Sequence, residues 1–169
     1  EELETIPVLE VKDISTEIAP IYNREIKYGD MLMVHHGVET NGIGYVDVMF
    51  DLSQVPEKML PYVGILQGVL GIIDTTHYEY GELFNEINVH TGGIGTSLEL
   101  YSDVTKVKEK EFKATFEIKA KALYHKLPVA FDMIKEILME SKLDDEKRLK
   151  EILDMILSRL QMKFTSSGH

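Results

Sequence analysis

The sequence predicts an α+β fold: a mainly antiparallel sheet with helices packed on one face. Three observations carry that expectation. Residues 111–123 alternate apolar and polar along their whole length, the period of a strand with one wet and one dry face. Apolar residues recur at helical spacing after Pro128 and again after Asp144, the pattern of two helices with core-facing stripes. The elements then fall in the order strands, two helices, two strands, two helices.

Residues 1–30 are mixed, punctuated by Pro7, Pro20 and Gly29. Short extended pieces are expected around Ile6–Val11 and Met31–His35. Gly42 to Leu52 reads as a strand, with Val46, Val48, Phe50 and Leu52 on one face and Tyr45, Asp47 and Met49 on the other. Pro56 suits a first helical position and Glu57 complements the helix dipole there. This helix is expected to run to about Ile73 and, being apolar nearly all round, to be buried on most sides.

A second helix is expected from about Tyr78 to Val89. Its Leu83 and Ile87 are four residues apart on one face, and Gly92-Gly93 stops it. Ile94 to Tyr101 reads as a strand with Leu98 and Leu100 inward, and Lys106 to Lys110 as a charged turn. In the alternating strand, Phe112, Ala114, Phe116, Ile118, Ala120 and Ala122 form the dry face. Lys113, Thr115, Glu117, Lys119 and Lys121 form the wet one. Phe131, Ile134, Ile137 and Leu138 make the stripe of the third helix. Asp144 is the expected cap of the fourth, with Asp145 and Glu146 in its first turn. Leu149, Ile152, Leu153, Ile156 and Leu160 face the core, and Arg159 and Lys163 sit towards its cation-favouring end. Met133 and Met155 are expected to fill gaps in packing. With no repeat, low-complexity tract or linker, residues 1–169 are expected to form one domain.

The chain has 169 residues, 44% apolar and 28% charged, ordinary globular values. Its longest apolar stretch, Met59 to Ile73, is broken by Pro61, Gly64, Gln67, Gly68 and Gly71 and falls short of the ~20 residues that span a bilayer. A net charge of −11, from 18 basic and 29 acidic residues, disfavours nucleic acid and anionic membrane as partners, since both need a basic footprint. The absence of cysteine rules out disulfides, thiolate metal sites and thiol catalysis, and fits a reducing compartment. The acidic start is not a signal peptide, and a start without Met is expected of a processed or excised piece.

No catalytic constellation is legible. Of the histidines His35, His36, His77, His90, His125 and His169, none lies in an HExxH or HxxEH arrangement. His35 and His36, adjacent in a strand, point to opposite faces and do not share a metal easily. His77 and His90 flank the second helix too far apart to meet at one end, and His125 reads as a turn residue. No serine lies in a GxSxG elbow. Gly92-Gly93-Ile94-Gly95 runs from helix to strand, the reverse of a phosphate-cradling loop. Glu79, Glu82 and Glu86 read as a solvated helix face, and Asp144-Asp145-Glu146 as capping. The residues therefore name no catalytic site and no metal site.

A resemblance supplies more. The run Thr40–Leu52, Val55-Pro56-Glu57 with Leu60-Pro61-Tyr62, and Tyr80–Ile87 with His90-Thr91-Gly92-Gly93-Ile94 occur here in order. Ala120–Leu123 with Lys126-Leu127-Pro128 and Lys142–Asp145 follow, and Arg159–Met162 and Ser166–His169 complete the series. Together they resemble insulinase/pitrilysin-type zinc metallopeptidases of the presequence-protease (peptidasome) branch. That resemblance covers nearly the whole chain. It implies a LuxS/mitochondrial-processing-peptidase-like metallohydrolase fold, in a peptidase of four related domains that close around a chamber. This chain resembles the third, non-catalytic domain, at the start of the C-terminal half. Zinc is implied in the catalytic domain of the parent, on an HxxEH motif, and no cofactor in this piece. Aligned on that motif, Gly64-Ile65-Leu66-Gln67-Gly68 puts glycine at both histidines and glutamine at the catalytic glutamate. Neither offers the ligand or base the chemistry needs.

The resemblance makes the chain a fragment of a longer multidomain peptidase, truncated at the C-terminal end. Its expected role is structural and chamber-forming, in a zinc metalloendopeptidase that degrades unstructured peptides. The implied partners are the other domains of the same chain and, in the parent, unstructured peptides, with no nucleic acid and no membrane. An exposed sheet edge predicts self-association. The alternative is a free-standing module that captures extended peptides at a sheet edge, motivated by the long alternating strand 111–123 and the acidic surface. A metallohydrolase built on His35, His36 and nearby carboxylates is a third reading. The expected compartment is a bacterial cytoplasm, or an organelle matrix in a eukaryotic source.

Overall fold

The computed structural model describes residues 10–17, 20, 22–103, 105 and 111–166. The expected strand around Ile6–Val11 lies mostly outside these residues, with a 3₁₀ turn at Val11–Asp13. The Lys106–Lys110 turn and His169 also lie outside them. The chain divides into two compact units, residues 1–39 and 40–169.

The first unit carries an antiparallel hairpin of β1 (Asn23–Tyr28) and β2 (Met31–His36). The expected strand at Met31–His35 is therefore present. Gly29 turns the hairpin at φ 61°, with glycine at the first of two loop positions as a tight hairpin prefers.

The second unit is the predicted α+β layering. β3 (Ile43–Asp51), β4 (Ile94–Ser102) and β5 (Phe112–Leu123) form an antiparallel sheet in the order β3-β5-β4. α1 (Leu60–Val69), α2 (Tyr80–His90), α3 (Leu127–Met139) and α4 (Glu146–Ser166) supply the helices. β3 is launched by a turn in which Asn41 and Gly42 both take positive φ and Ile43 N donates to Thr40 O. The even-numbered residues of β5 meet the helices: Phe116, Ile118 and Ala120 share a core with Leu83, Ile87, Met133, Ile134 and Ile137.

Several expectations shift for identifiable reasons. The helix expected from Pro56 to Ile73 begins as a 3₁₀ turn at Glu57–Met59 and is α-helical only over Leu60–Val69. Pro61 stands in its first turn, and Gly71, at φ 84°, follows its stop. It is not buried on most sides: Met59, Leu60, Tyr62 and Ile65 are exposed. Leu98 and Leu100 point to the helix side by register but are exposed, because the outer half of β4 reaches past the helices. Thr115 and Glu117, expected on a wet face, are fully buried. β5 is the central strand, flanked on both sides, so even its polar face is covered by neighbours. That position also removes β5 as a strand to which a peptide could pair. Within this unit the free edges belong to β3 and β4.

The α3 stripe lies one position earlier than expected, on Ala130, Met133, Ile134 and Ile137, and Phe131 is half exposed. Asp145, not Asp144, caps α4: its carboxylate accepts the Arg148 backbone N–H at 2.9 Å. α4 packs on α1 through Ile152, Val69 and Ile73, with Leu149 and Ile156 alongside. At 21 residues against 10, and about 1.5 Å of rise per residue, it outruns that support. Leu153, Met155 and Leu160 are left partly or largely exposed.

Candidate functional site

The polar chemistry of the second unit gathers on the sheet face opposite the helices. The register sets Lys119 between Asp47 and Gly95, and Glu117 between Met49 and Ser97. Side chains alternate along a strand, so these odd-numbered positions share one face with Tyr45, Lys121, Glu99 and Tyr101. Glu117 is the centre. Thr115 Oγ1 and Tyr101 OH donate to its Oε1 at 2.6 and 2.7 Å, and Lys119 Nζ lies 2.8 Å from its Oε2. The same ammonium reaches Glu99 at 3.4 Å and Asp47 at 3.8 Å, which links all three strands.

The electrostatics follow from this geometry. Burial pushes the Glu117 carboxyl up, but hydrogen bonds from Lys119, Thr115 and Tyr101 outweigh it and hold the group below the ordinary glutamate value. Asp47 moves the other way, raised by burial and by the Glu117 charge. Lys119 is held more firmly protonated, chiefly by Glu117. Oε1 accepts two hydrogen bonds and Oε2 is ion-paired with the Lys119 ammonium, so the group is a strut across the sheet and not a free base. Ser97 Oγ is buried nearby without a hydrogen-bond partner among the described residues.

The histidines do not converge. His35 and His36 are exposed neighbours on β2, and His36 Nδ1 lies 2.6 Å from Asn23 Oδ1. His77 pairs with Glu136 on α3, with Nδ1 3.0 Å from Oε2. There, burial raises Glu136 but hydrogen bonds from Thr75 and His77 hold it below its ordinary value. His90 ends α2, and His125 lies in a 3₁₀ turn, as the sequence predicts for a turn residue. Among the described residues, no three histidine or carboxylate side chains gather in a way that could hold a metal ion. Nor is any of their helices long and apolar enough to cross a membrane.

On α1 the five residues 64–68 have plain structural surroundings. Gln67 Nε2 donates to Thr96 O at 3.2 Å and Thr96 Oγ1 donates to Gln67 O at 2.8 Å, tying the helix to β4. Gly68 lies under Ile156 of α4, whose Cδ1 would stand 2.8 Å from an added Cβ. The space beside Gly64 is open. Sequence reasoning missed the Gln67–Thr96 tie and the Glu117 network. The signal for the second was three ionisable or hydroxyl residues at alternate positions of the one strand long enough to be central.

Against known proteins, the chain matches over residues 1–169 the family model described as peptidase M-16C associated. It is 37% identical over 169 residues to Protein HypA of Clostridium perfringens, covering 100% of this chain and 17% of that protein. It is 29% identical over 132 residues to the mitochondrial presequence protease of Drosophila melanogaster, covering 78% of this chain and 13% of that protein. With the mitochondrial presequence protease of Saccharomyces cerevisiae the identity is 28% over 171 residues, covering 100% and 17%. The chain thus spans about an eighth to a sixth of the length of these curated relatives. Matched by that model over its 169 residues, the chain belongs to the peptidase M-16C-associated family.

Proposed function

We propose that this chain is a non-catalytic, chamber-forming domain of a longer zinc metalloendopeptidase that degrades unstructured peptides. One observation carries the reading. The helix that follows the first long strand of this unit, where the resemblance sets the zinc motif, has Gly64, Gln67 and Gly68 at the three chemical positions. Glycine has no ligand atom, and the Gln67 amide donates to the Thr96 carbonyl. These residues do not fit a zinc ion, and no step of hydrolysis is routed through them. The zinc would belong to another domain of the same peptidase, in a bacterial cytoplasm or an organelle matrix.

The exposed stripe of Met59, Leu60, Tyr62 and Ile65 on the α1 segment supports a covered role. Apolar side chains grouped on one helix mark an interaction surface, and the other domains of the parent are the partners the reading supplies. Placing Glu at Tyr62 and Ile65 together tests this. In the 169-residue chain, circular dichroism and thermal unfolding stay nearly unchanged, since exposed positions move stability by only about 0.5 kcal/mol. In the full-length peptidase, peptide cleavage falls together with the stability of the assembled halves. An unchanged full-length enzyme would remove α1 as a domain interface.

A further inference from the structure

We infer that the sheet face opposite the helices carries a binding groove for the C-terminal carboxylate of an extended peptide whose last side chain is apolar. Two contiguous hollows of about 370 and 350 Å³ share Tyr45, Gly92 and Lys121. The first is walled by Ile43, Val89 and Leu123 and closed by His90 and Lys126. The second runs along Gly93 and Gly95 towards Lys119.

The charge in the first hollow points to the ligand. In a chain of net charge −11, two lysines, Lys121 and Lys126, line this one hollow, and neither has an ion-pair partner among the described residues. The Lys126 ammonium has only donors, so at 3.0 Å it donates to His90 Nδ1. The imidazole proton then sits on Nε2, 3.3 Å from Glu86 Oε2. Two Lys126 protons remain for a ligand. The Lys121 stem is laid flat across Gly92, where an added Cβ would stand 2.9 Å from its Cε. Two cations beside an apolar wall match a carboxylate attached to an apolar side chain.

Glycine keeps the rest of the groove clear. Gly95 faces Lys119 across the sheet, and a Cβ built there meets nothing within 4 Å. An extended backbone can therefore lie over Gly93 and Gly95 where any side chain would stand in its way. The inference uses the second unit alone and does not depend on the chamber reading.

Fluorescence polarisation of a labelled decapeptide ending in leucine, titrated with this chain, tests it without any cleavage step. The free-acid peptide binds saturably. Its C-terminal amide binds about tenfold or more weakly, the scale of a charge-assisted contact. Lys126→Met and Lys121→Met each weaken the free acid to a similar degree. Gly95→Val, which fills open space, removes binding while the circular dichroism spectrum is kept. Equal binding of acid and amide, no binding of either, or variants that bind like the parent would overturn the inference. So would binding of octanoate without the peptide, which would mean a small-carboxylate site instead.

Discussion

Ile118→Ala lowers the free energy of unfolding by about 2–5 kcal/mol, as a cavity-forming truncation in a packed core does. Ile118 has 0% exposure at the middle of the central strand. It packs in the core that joins β5 to α2 and α3, and its register neighbours are Val48 and Thr96. The loss is a large share of the ~5–15 kcal/mol that holds a typical domain together. A urea titration reads it as a lower midpoint with an unchanged slope. Leu100→Ala is the control. Leu100 lies on the same sheet face but at 73% exposure, so its midpoint moves little.

Lys119→Met gives the second large effect, and its signature is a gap to the parent that varies with pH. With Lys119 present, the folded Glu117 carboxyl sits below its ordinary value of 4.5. A depressed carboxyl contributes stability above its unfolded pKa and loses it as pH falls through the folded value. Without the ammonium, its hydrogen bond and charge are lost while burial stays, so the folded pKa moves up and the stability Glu117 contributes above its unfolded value shrinks. The midpoint of thermal unfolding therefore drops by roughly 10 °C near neutrality, and the gap to the parent narrows towards pH 4. Asp47, raised in the folded state, contributes in the reverse sense in the parent and moderates its acid loss. A constant gap across the pH range would show that Lys119 acts through packing alone.

The two sides of the fold differ in how far the sequence makes them legible. Periodicity identifies β3, β5 and the helical order because each buries one face, and burial writes itself as period two or 3.6. It places Leu83, Ile87, Ile134 and Ile152 correctly for the same reason. It misjudges Thr115 and Glu117 because alternation reports polarity, not coverage. Only knowledge that β5 lies between β3 and β4 makes a buried carboxylate expected. It misplaces Leu98, Leu160 and the outer face of α1 because an apolar residue is buried only where another element reaches it. Those exposed stripes are where the proposed partner domains would pack. The groove beside Lys121 and Lys126 was illegible for another reason: it joins residues from β3, the end of α2 and the turn after β5, which are distant in sequence. Gly92-Gly93-Ile94-Gly95, which the sequence shows as a helix stop and a loop of the wrong polarity for phosphate, is its floor.

The most direct test of the central claim is cleavage of a quenched-fluorescent unstructured peptide by this purified chain, with and without added zinc, beside the full-length peptidase. The account predicts no cleavage by the chain at any zinc concentration, under conditions where the full-length enzyme cuts. Zinc-dependent cleavage that survives repurification of the chain would contradict it and would place a catalytic site within these 169 residues.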